Sequence, residues 1–150
     1  MTEPIEIVEL RAQRIAGVRR IVPESGLGAF LGEVYPKVFA MLSAQGATPA
    51  GPPLARYFNN DPEGFDTEAA VPFSGTFTGS GDVRVTELPG GKAAKLVHIG
   101  PYNTLSAAYK RMMAWADERK TPLGNDPWEV YVTEPKAGVD PVTELYFPLR

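Results

Sequence analysis

The sequence predicts an α+β fold in which two related halves each run strand, strand, helix, strand, strand. Short runs rich in β-branched and aromatic residues end at Gly, Pro, Asn or Asp, which is typical of strands joined by turns. Two longer segments carry apolar residues at helical spacing, and matching residues recur at a nearly constant offset along the chain. We therefore expect two pseudo-symmetric repeats that form antiparallel sheets with a central cleft.

The first repeat is predicted over about residues 4–74. Its strands are expected in the segments IEIVEL, RIAGVRRIV, LARYF and EAAVPF. Its helix is predicted from an apolar stripe formed by Leu27, Phe30, Leu31, Val34, Val38, Met41 and Leu42. Gly46 lies just past this stripe, where a glycine commonly ends a helix, and the proline-rich TPAGPP that follows cannot continue it.

The second repeat is predicted over about residues 82–150, with the same order of elements. Its strands are expected in VRVTEL, AAKLVHI, WEVYV and TELYFPL. Its helix is predicted from a stripe of Leu105, Ala108, Tyr109, Met112 and Ala116. Gly100 and Pro101 shape the start of this helix, and Asn103 or Thr104 is expected as its N-cap.

Residue matches between the halves support an internal duplication. An offset of 78 positions relates Glu9 to Glu87, Leu10 to Leu88 and Pro23 to Pro101. An offset of 76 positions relates Thr67 to Thr143, Glu68 to Glu144 and Pro72 to Pro148. A loop that differs in length between the halves accounts for the change of offset. Residues 1–150 are long enough to bury one core, so we expect a single domain made of both repeats.

Composition excludes several kinds of chemistry. The chain has no cysteine and one histidine, which excludes disulfides and thiolates and leaves a metal only carboxylates as ligands, so no metal or cofactor is expected. The net charge of −3 and the scattered cationic residues give no basic surface for nucleic acid. No apolar run approaches the roughly 20 residues that span a bilayer, and MTEPIEIVEL is not a signal peptide, so a cytoplasmic location is expected.

Each of the last two strands contains a Glu-x-Tyr triplet, whose first and third side chains share a face. The triplets are Glu129 to Tyr131 and Glu144 to Tyr146. We expect the apolar faces of these strands to contact the helices and the four polar side chains to lie next to one another. Such a surface is either a solvated sheet face or a pocket in which rings and a desolvated carboxylate hold a flat or cationic ligand.

The corresponding strands of the first half differ in a way that favours a pocket. They keep Tyr57 and Glu68 but place Ala55 and Ala70 where the second half has Glu129 and Tyr146. Small side chains in one half that face large polar ones in the other would leave volume in a cleft. A solvated sheet gives no reason for the difference.

A larger set of residues is typical of a known family. The set comprises His98, Gly100, Pro101, Tyr102, Ala108, Tyr109, Trp115, Glu129, Tyr131, Thr143, Glu144, Tyr146 and Pro148. At these spacings the chain resembles the GyrI-like domain, also called the AraC- or MerR-type effector-binding domain, in a standalone form. The resemblance spans essentially the whole chain, and most of its specificity lies in the second half.

The resemblance implies two strand-strand-helix-strand-strand repeats with a ligand pocket between them. In the multidrug-sensing regulators of this family the domain follows a DNA-binding region and holds lipophilic cations against aromatic rings. The family's pocket glutamates fall on Glu129 and Glu144 of this chain, and a pocket aromatic falls on Tyr146. Because the chain begins directly with the first strand, we expect no direct contact of its own with DNA.

The leading hypothesis is a binding protein for a small aromatic or lipophilic-cationic molecule, acting as a sensor or by sequestration. Its ligand-binding residues would be Glu129, Tyr131, Glu144, Tyr146 and Tyr102. The resemblance leaves two alternatives open: a hydrolase of reactive cyclopropane-type or ester compounds, in which Glu129 would be the catalytic residue, and a gyrase-inhibitor-like protein-interaction module with an unidentified partner. The sequence favours a binder over an enzyme without deciding between them.

Two other residues are interpreted as structural. His98 shares a strand face with Leu96, and a hydrogen bond near the Gly100-Pro101-Tyr102 turn explains it more simply than catalysis does. Trp115 falls close to the apolar stripe of its helix and is expected in the core.

Overall fold

A computed structural model describes residues 4–61, 64–133 and 138–150 of the chain. The strands are β1 (Glu6–Leu10), β2 (Gln13–Val22), β3 (Thr48–Pro49), β4 (Leu54–Asp61), β5 (Gly64–Ser74), β6 (Arg84–Leu88), β7 (Gly91–Ile99), β8 (Trp128–Tyr131) and β9 (Val142–Pro148). The helices are α1 (Leu27–Ala44) and α2 (Leu105–Arg119), each preceded by a 3-10 turn, Glu24–Gly26 and Tyr102–Thr104. The predicted order of elements is confirmed, with the two-residue β3 as an addition.

The strands form one curled antiparallel sheet in the order β1-β7-β9-β8-β4-β5-β2-β6, with β3 paired to β5. The counterparts in the two halves are β1 and β6, β2 and β7, β4 and β8, and β5 and β9. Replacing each strand by its counterpart gives the same order read from the other end, as pseudo-twofold symmetry requires. The symmetry axis therefore passes between β4 and β8, where Ala55 pairs directly with Glu129. Each half also contributes one outer strand to the other, because β1 pairs with β7 and β6 pairs with β2.

Helix α1 covers the sheet of the first half with one face. Its buried residues recur every fourth position, at Phe30, Val34, Val38 and Leu42, as expected for a single apolar stripe. The helix ends at Ala44 with Gln45 as its C-cap residue. Gly46 follows, where the sequence predicts a helix-ending glycine, and its left-handed φ of 75° lets the amide of Ala47 donate to the carbonyl of Leu42.

Helix α2 covers the second half in the same way. Leu105, Ala108, Met112 and Ala116 are its buried residues. They face a strand surface that includes Ala94, Leu96, Leu145 and Phe147. Trp115 was expected in the core; it is partly buried and packs against the edge of this cluster.

The other face of the sheet is covered by the sheet itself. Because the sheet curls, side chains from strands of both halves meet on the side away from the helices. This second core contains Ile15, Leu54, Ala70, Leu88, Ala93, Trp128 and Tyr146. Trp128 was expected to lie under a helix, and that expectation is wrong. The apolar residues of β8 face the curled sheet, which leaves the polar face of this strand toward the helices.

Candidate ligand-binding cleft

A cleft lies on the helix side of the sheet, above the central strands β4 and β8. It consists of two cavities of about 940 Å³ and 670 Å³. The cavities meet at four residues that line both of them, namely Tyr57, Tyr102, Leu105 and Glu129. The symmetry axis of the fold therefore coincides with the middle of the cleft, and Glu129 is the acidic residue found there.

Glu129 is held in the cleft by two phenols. Its side chain points from β8 to the helix side, and the residue is only 6% exposed. The hydroxyl of Tyr109, from α2, donates to Oε2 at 2.5 Å, and the hydroxyl of Tyr131, two residues along β8, donates to Oε1 at 2.8 Å. Ala55, the equivalent residue of the first half, has no polar side chain, and both hydrogen-bond partners of Glu129 belong to the second half.

Burial controls the electrostatics of this group. Desolvation raises the pKa of Glu129 above its usual range, and the hydrogen bonds from Tyr109 and Tyr131 partly oppose that shift. Desolvation and the nearby carboxylate raise the pKa of Tyr109 and of Tyr131 well above their usual values, so both phenols stay neutral donors. Within residues 4–61, 64–133 and 138–150, no ion pair involves Glu129.

Aromatic rings form the walls around the carboxylate. The ring of Tyr131 lies 5.7 Å from that of Tyr102 and 6.4 Å from that of Tyr35, measured between centroids. The hydroxyl of Tyr35 donates to the carbonyl of Leu54 at 2.7 Å, which fixes its ring at the inner face of α1. A cation placed here would contact ring faces and a poorly solvated carboxylate at once.

The sequence prediction did not identify Tyr35 and Tyr109 as site residues. Both occupy the inner faces of helices, and Tyr109 was assigned to the apolar stripe of α2. A buried phenol in such a stripe needs a hydrogen-bond partner, and this requirement could have indicated that these tyrosines face a polar group.

The structure brings together three of the five predicted ligand-binding residues. Glu129, Tyr131 and Tyr102 all line the cleft. Glu144 and Tyr146 lie on the opposite face of the sheet, beside a separate hollow of about 360 Å³. There the hydroxyl of Tyr146 donates to Glu144 at 2.9 Å.

The prediction that the two Glu-x-Tyr triplets lie side by side is therefore wrong, and strand register is the reason. In the β8–β9 pair, Glu129 lies opposite Leu145, and Val130 lies opposite Glu144. Directly opposed residues share a face, so the polar side chains of one strand accompany the apolar side chains of the other. A register shifted by one residue would have placed all four polar groups together.

The turn that carries Tyr102 is anchored by the single histidine. Nε2 of His98 lies 2.9 Å from Oγ1 of Thr104, and the Thr104 hydroxyl donates to the carbonyl of Pro101 at 2.7 Å. The expected structural hydrogen bond of His98 is confirmed. Thr104 is the N-cap residue of α2, which is one of the two positions predicted for it. Its hydroxyl donates to the carbonyl of Pro101 in the turn and makes no hydrogen bond to a helix amide.

Other classes of site find less support in the described part of the chain. It contains no group of three or more histidine or carboxylate side chains arranged to hold a metal ion. None of the helices described there is long and apolar enough to cross a membrane.

A curled antiparallel sheet that carries two helices over a tyrosine-lined cleft defines a small-molecule-binding domain. The family comparison agrees with this class, because residues 3–150 match the GyrI-like small molecule binding domain. The chain belongs to this family. Comparison with curated proteins finds no match.

Solved structures show the same fold. The C-terminal domain of EcmrR superposes with a TM-score of 0.85 at 21% identity, covering 98% of this chain and 97% of that one. The same protein in an EcmrR–DNA complex gives a TM-score of 0.87 at 21% identity, covering 99% of this chain. This chain spans 57% of the length of EcmrR in that complex.

Two more distant structures also share the fold. SAV2435 bound to tetraphenylphosphonium has a TM-score of 0.71 at 9% identity, with 99% of this chain and 94% of that chain covered. A hydrolase from Listeria innocua has a TM-score of 0.68 at 13% identity, with 97% and 91% covered.

Proposed function

We propose that the domain binds a lipophilic organic cation in the central cleft and acts in the cytoplasm as a sensor or by sequestering the compound. One observation carries this proposal. Glu129 is a buried carboxylate that accepts two phenol hydrogen bonds but makes no ion pair among the described residues. A cationic ligand would supply the missing countercharge.

The energetics favour a cation over a neutral molecule of the same shape. A buried carboxylate without a countercharge costs several kcal/mol in desolvation, of the order of 3 kcal/mol or more. A cation in contact recovers part of this cost, since charges attract more strongly in a water-poor site. The rings of Tyr35, Tyr102 and Tyr131 add cation–π attraction of about 0.5–2 kcal/mol for each ring face that the cation contacts.

The comparisons support the same ligand class. SAV2435, which shares this fold, was solved with tetraphenylphosphonium, a lipophilic cation. EcmrR was solved in a complex with DNA, but direct nucleic-acid binding is not part of our proposal, because this chain has a net charge of −3.

Isothermal titration with tetraphenylphosphonium and the neutral triphenylphosphine oxide tests the proposal. The wild-type protein should prefer the cation, and Glu129→Gln should lose at least about tenfold in cation affinity while binding the neutral compound as before. The matched control is Glu144→Gln, a carboxylate of the same triplet type on the other sheet face, which should leave cation affinity unchanged. Equal cation affinity in wild type and Glu129→Gln would contradict the proposal.

A hydrolase is the second candidate, and the close contact between Tyr109 and Glu129 favours it. The ionised Glu129 carboxylate, whose pKa burial raises, can accept a proton from water while the Tyr109 hydroxyl that donates to it holds it in place. The test is turnover of cyclopropane-type or ester compounds that is lost in both Glu129→Gln and Tyr109→Phe. Stoichiometric capture without product would eliminate this candidate.

A further inference from the structure

The two cavities of the cleft differ in which helix supplies most of their helical lining, although Leu27 of α1 also lines the larger cavity and Leu105 of α2 lines both. The α1-side lobe, of about 670 Å³, is lined by Gly28, Leu31, Tyr35 and Phe39 of α1. The α2-side lobe, of about 940 Å³, is lined by Ser106 and Tyr109 of α2 and by Phe147 of β9. Each lobe alone has the volume of an ordinary small-molecule site. A ligand confined to one lobe would leave the other to water.

Glu129 and Tyr102 stand where the lobes meet. Each of them lines both cavities, and Glu129 carries the buried charge of the cleft. Tyr102 is 40% exposed, and the turn that carries it is fixed by the hydrogen bond between His98 and Thr104. The cleft therefore offers volume on two sides of the buried Glu129 carboxylate, with the ring of Tyr102 at the junction, while Glu24 at the α2-side lobe is exposed to solvent.

We propose that the preferred ligand is branched, with a cationic centre beside Glu129 and one ring-bearing arm in each lobe. This inference rests on the proposed cation binding and specifies the shape of the ligand. The lobes have apolar walls, which favour rings, and the shared position of Glu129 favours a charge at the branching point.

The fold provides a matched pair of positions at which each lobe can be blocked separately. Gly28 and Ser106 are the second residues of α1 and α2, and they are 78 positions apart, the offset that relates the two halves. Both are exposed, and each lines one lobe only. A Cβ built on Gly28 meets no atom within 4 Å, so a larger side chain has room there.

The test compares benzyltrimethylammonium, with one ring arm, and dibenzyldimethylammonium, with two, by titration calorimetry. Wild-type protein should bind the two-armed cation at least about tenfold more tightly, because the second ring buries further apolar surface. Gly28→Phe and Ser106→Phe should each remove this advantage, whereas the control Glu144→Gln, on the opposite sheet face, should retain it. If Gly28→Phe fails to fold, Leu31→Trp fills the same lobe.

The outcomes separate this inference from the function on which it rests. Equal affinity of the wild-type protein for the two cations would overturn the branched ligand while leaving cation binding intact. A loss of affinity for both cations in both folded lobe variants would also overturn it, since the lobes would then not be independent. Binding of neither cation by the wild-type protein would overturn the cation proposal, and this inference with it.

Discussion

At the scale of single residues, the site depends on one asymmetric pair at the symmetry axis. Ala55 and Glu129 occupy equivalent positions in the two halves and are direct partners across β4 and β8. Two glutamates at this position would repel each other in a buried cleft, and two alanines would leave it without charge. With one of each, the middle of the cleft has a single buried carboxylate, which Tyr109 and Tyr131 orient from its own half.

The raised pKa of Glu129 predicts how cation binding changes with pH. Only the ionised carboxylate attracts a cation, and burial raises its pKa above the ordinary value of about 4.3. Affinity for tetraphenylphosphonium should therefore be constant at high pH and should fall as the pH decreases through this raised pKa. Titrations at a series of pH values, with Glu129→Gln as the control, measure the effect.

The control variant identifies the group responsible. Glu129→Gln should bind the cation weakly and independently of pH. If the decrease persists in this variant, a group other than Glu129 causes it. A midpoint at or below the ordinary glutamate value would show that Glu129 is not desolvated in the protein.

At the scale of elements, the helices and strands were predictable from local patterns, and the placement of the site was predictable only in part. Period-two and helical spacing located the strands and helices of both halves. Register was not predictable, because residues 132–141 separate β8 from β9 and a connection of this length does not fix strand pairing as a two-residue turn does. The alternation within β8 correctly placed Glu129 with Tyr131 but could not show which strand face meets the helices.

The curl of the sheet is the second feature that local patterns do not encode. A strand with an apolar face and a polar face normally turns the apolar one toward a helix. Here Trp128 instead packs against Tyr146, with ring centroids 5.6 Å apart and planes 17° from parallel, in a core formed by the sheet alone. This core depends on strands from both halves, so it appears only when the whole chain is assembled.

At the scale of the whole molecule, exchanged edge strands connect the two halves. Strand β1 of the first half pairs over five residues with β7, and β6 of the second half pairs over five residues with β2. The central contact between β4 and β8 adds three residue pairs. Neither half can unfold without removing an edge strand from the other, and the cleft at their junction depends on both.

This connection predicts cooperative unfolding. Denaturation by urea should show a single transition with coincident circular dichroism and tryptophan fluorescence, as expected for one two-state domain. The two probes report on different regions, since both tryptophans, Trp115 and Trp128, lie in the second half. A fluorescence midpoint well separated from that of circular dichroism would contradict the single-domain account.

The central claim is that Glu129 is the buried anion to which a cationic ligand binds. A crystal structure of the protein with tetraphenylphosphonium tests it most directly. The account predicts the phosphorus atom between α1 and α2, in the cleft, with the carboxylate of Glu129 as the nearest charged group and tyrosine rings against the phenyl arms. A cation bound instead on the opposite sheet face, in the hollow beside Glu144 and Tyr146, would contradict it.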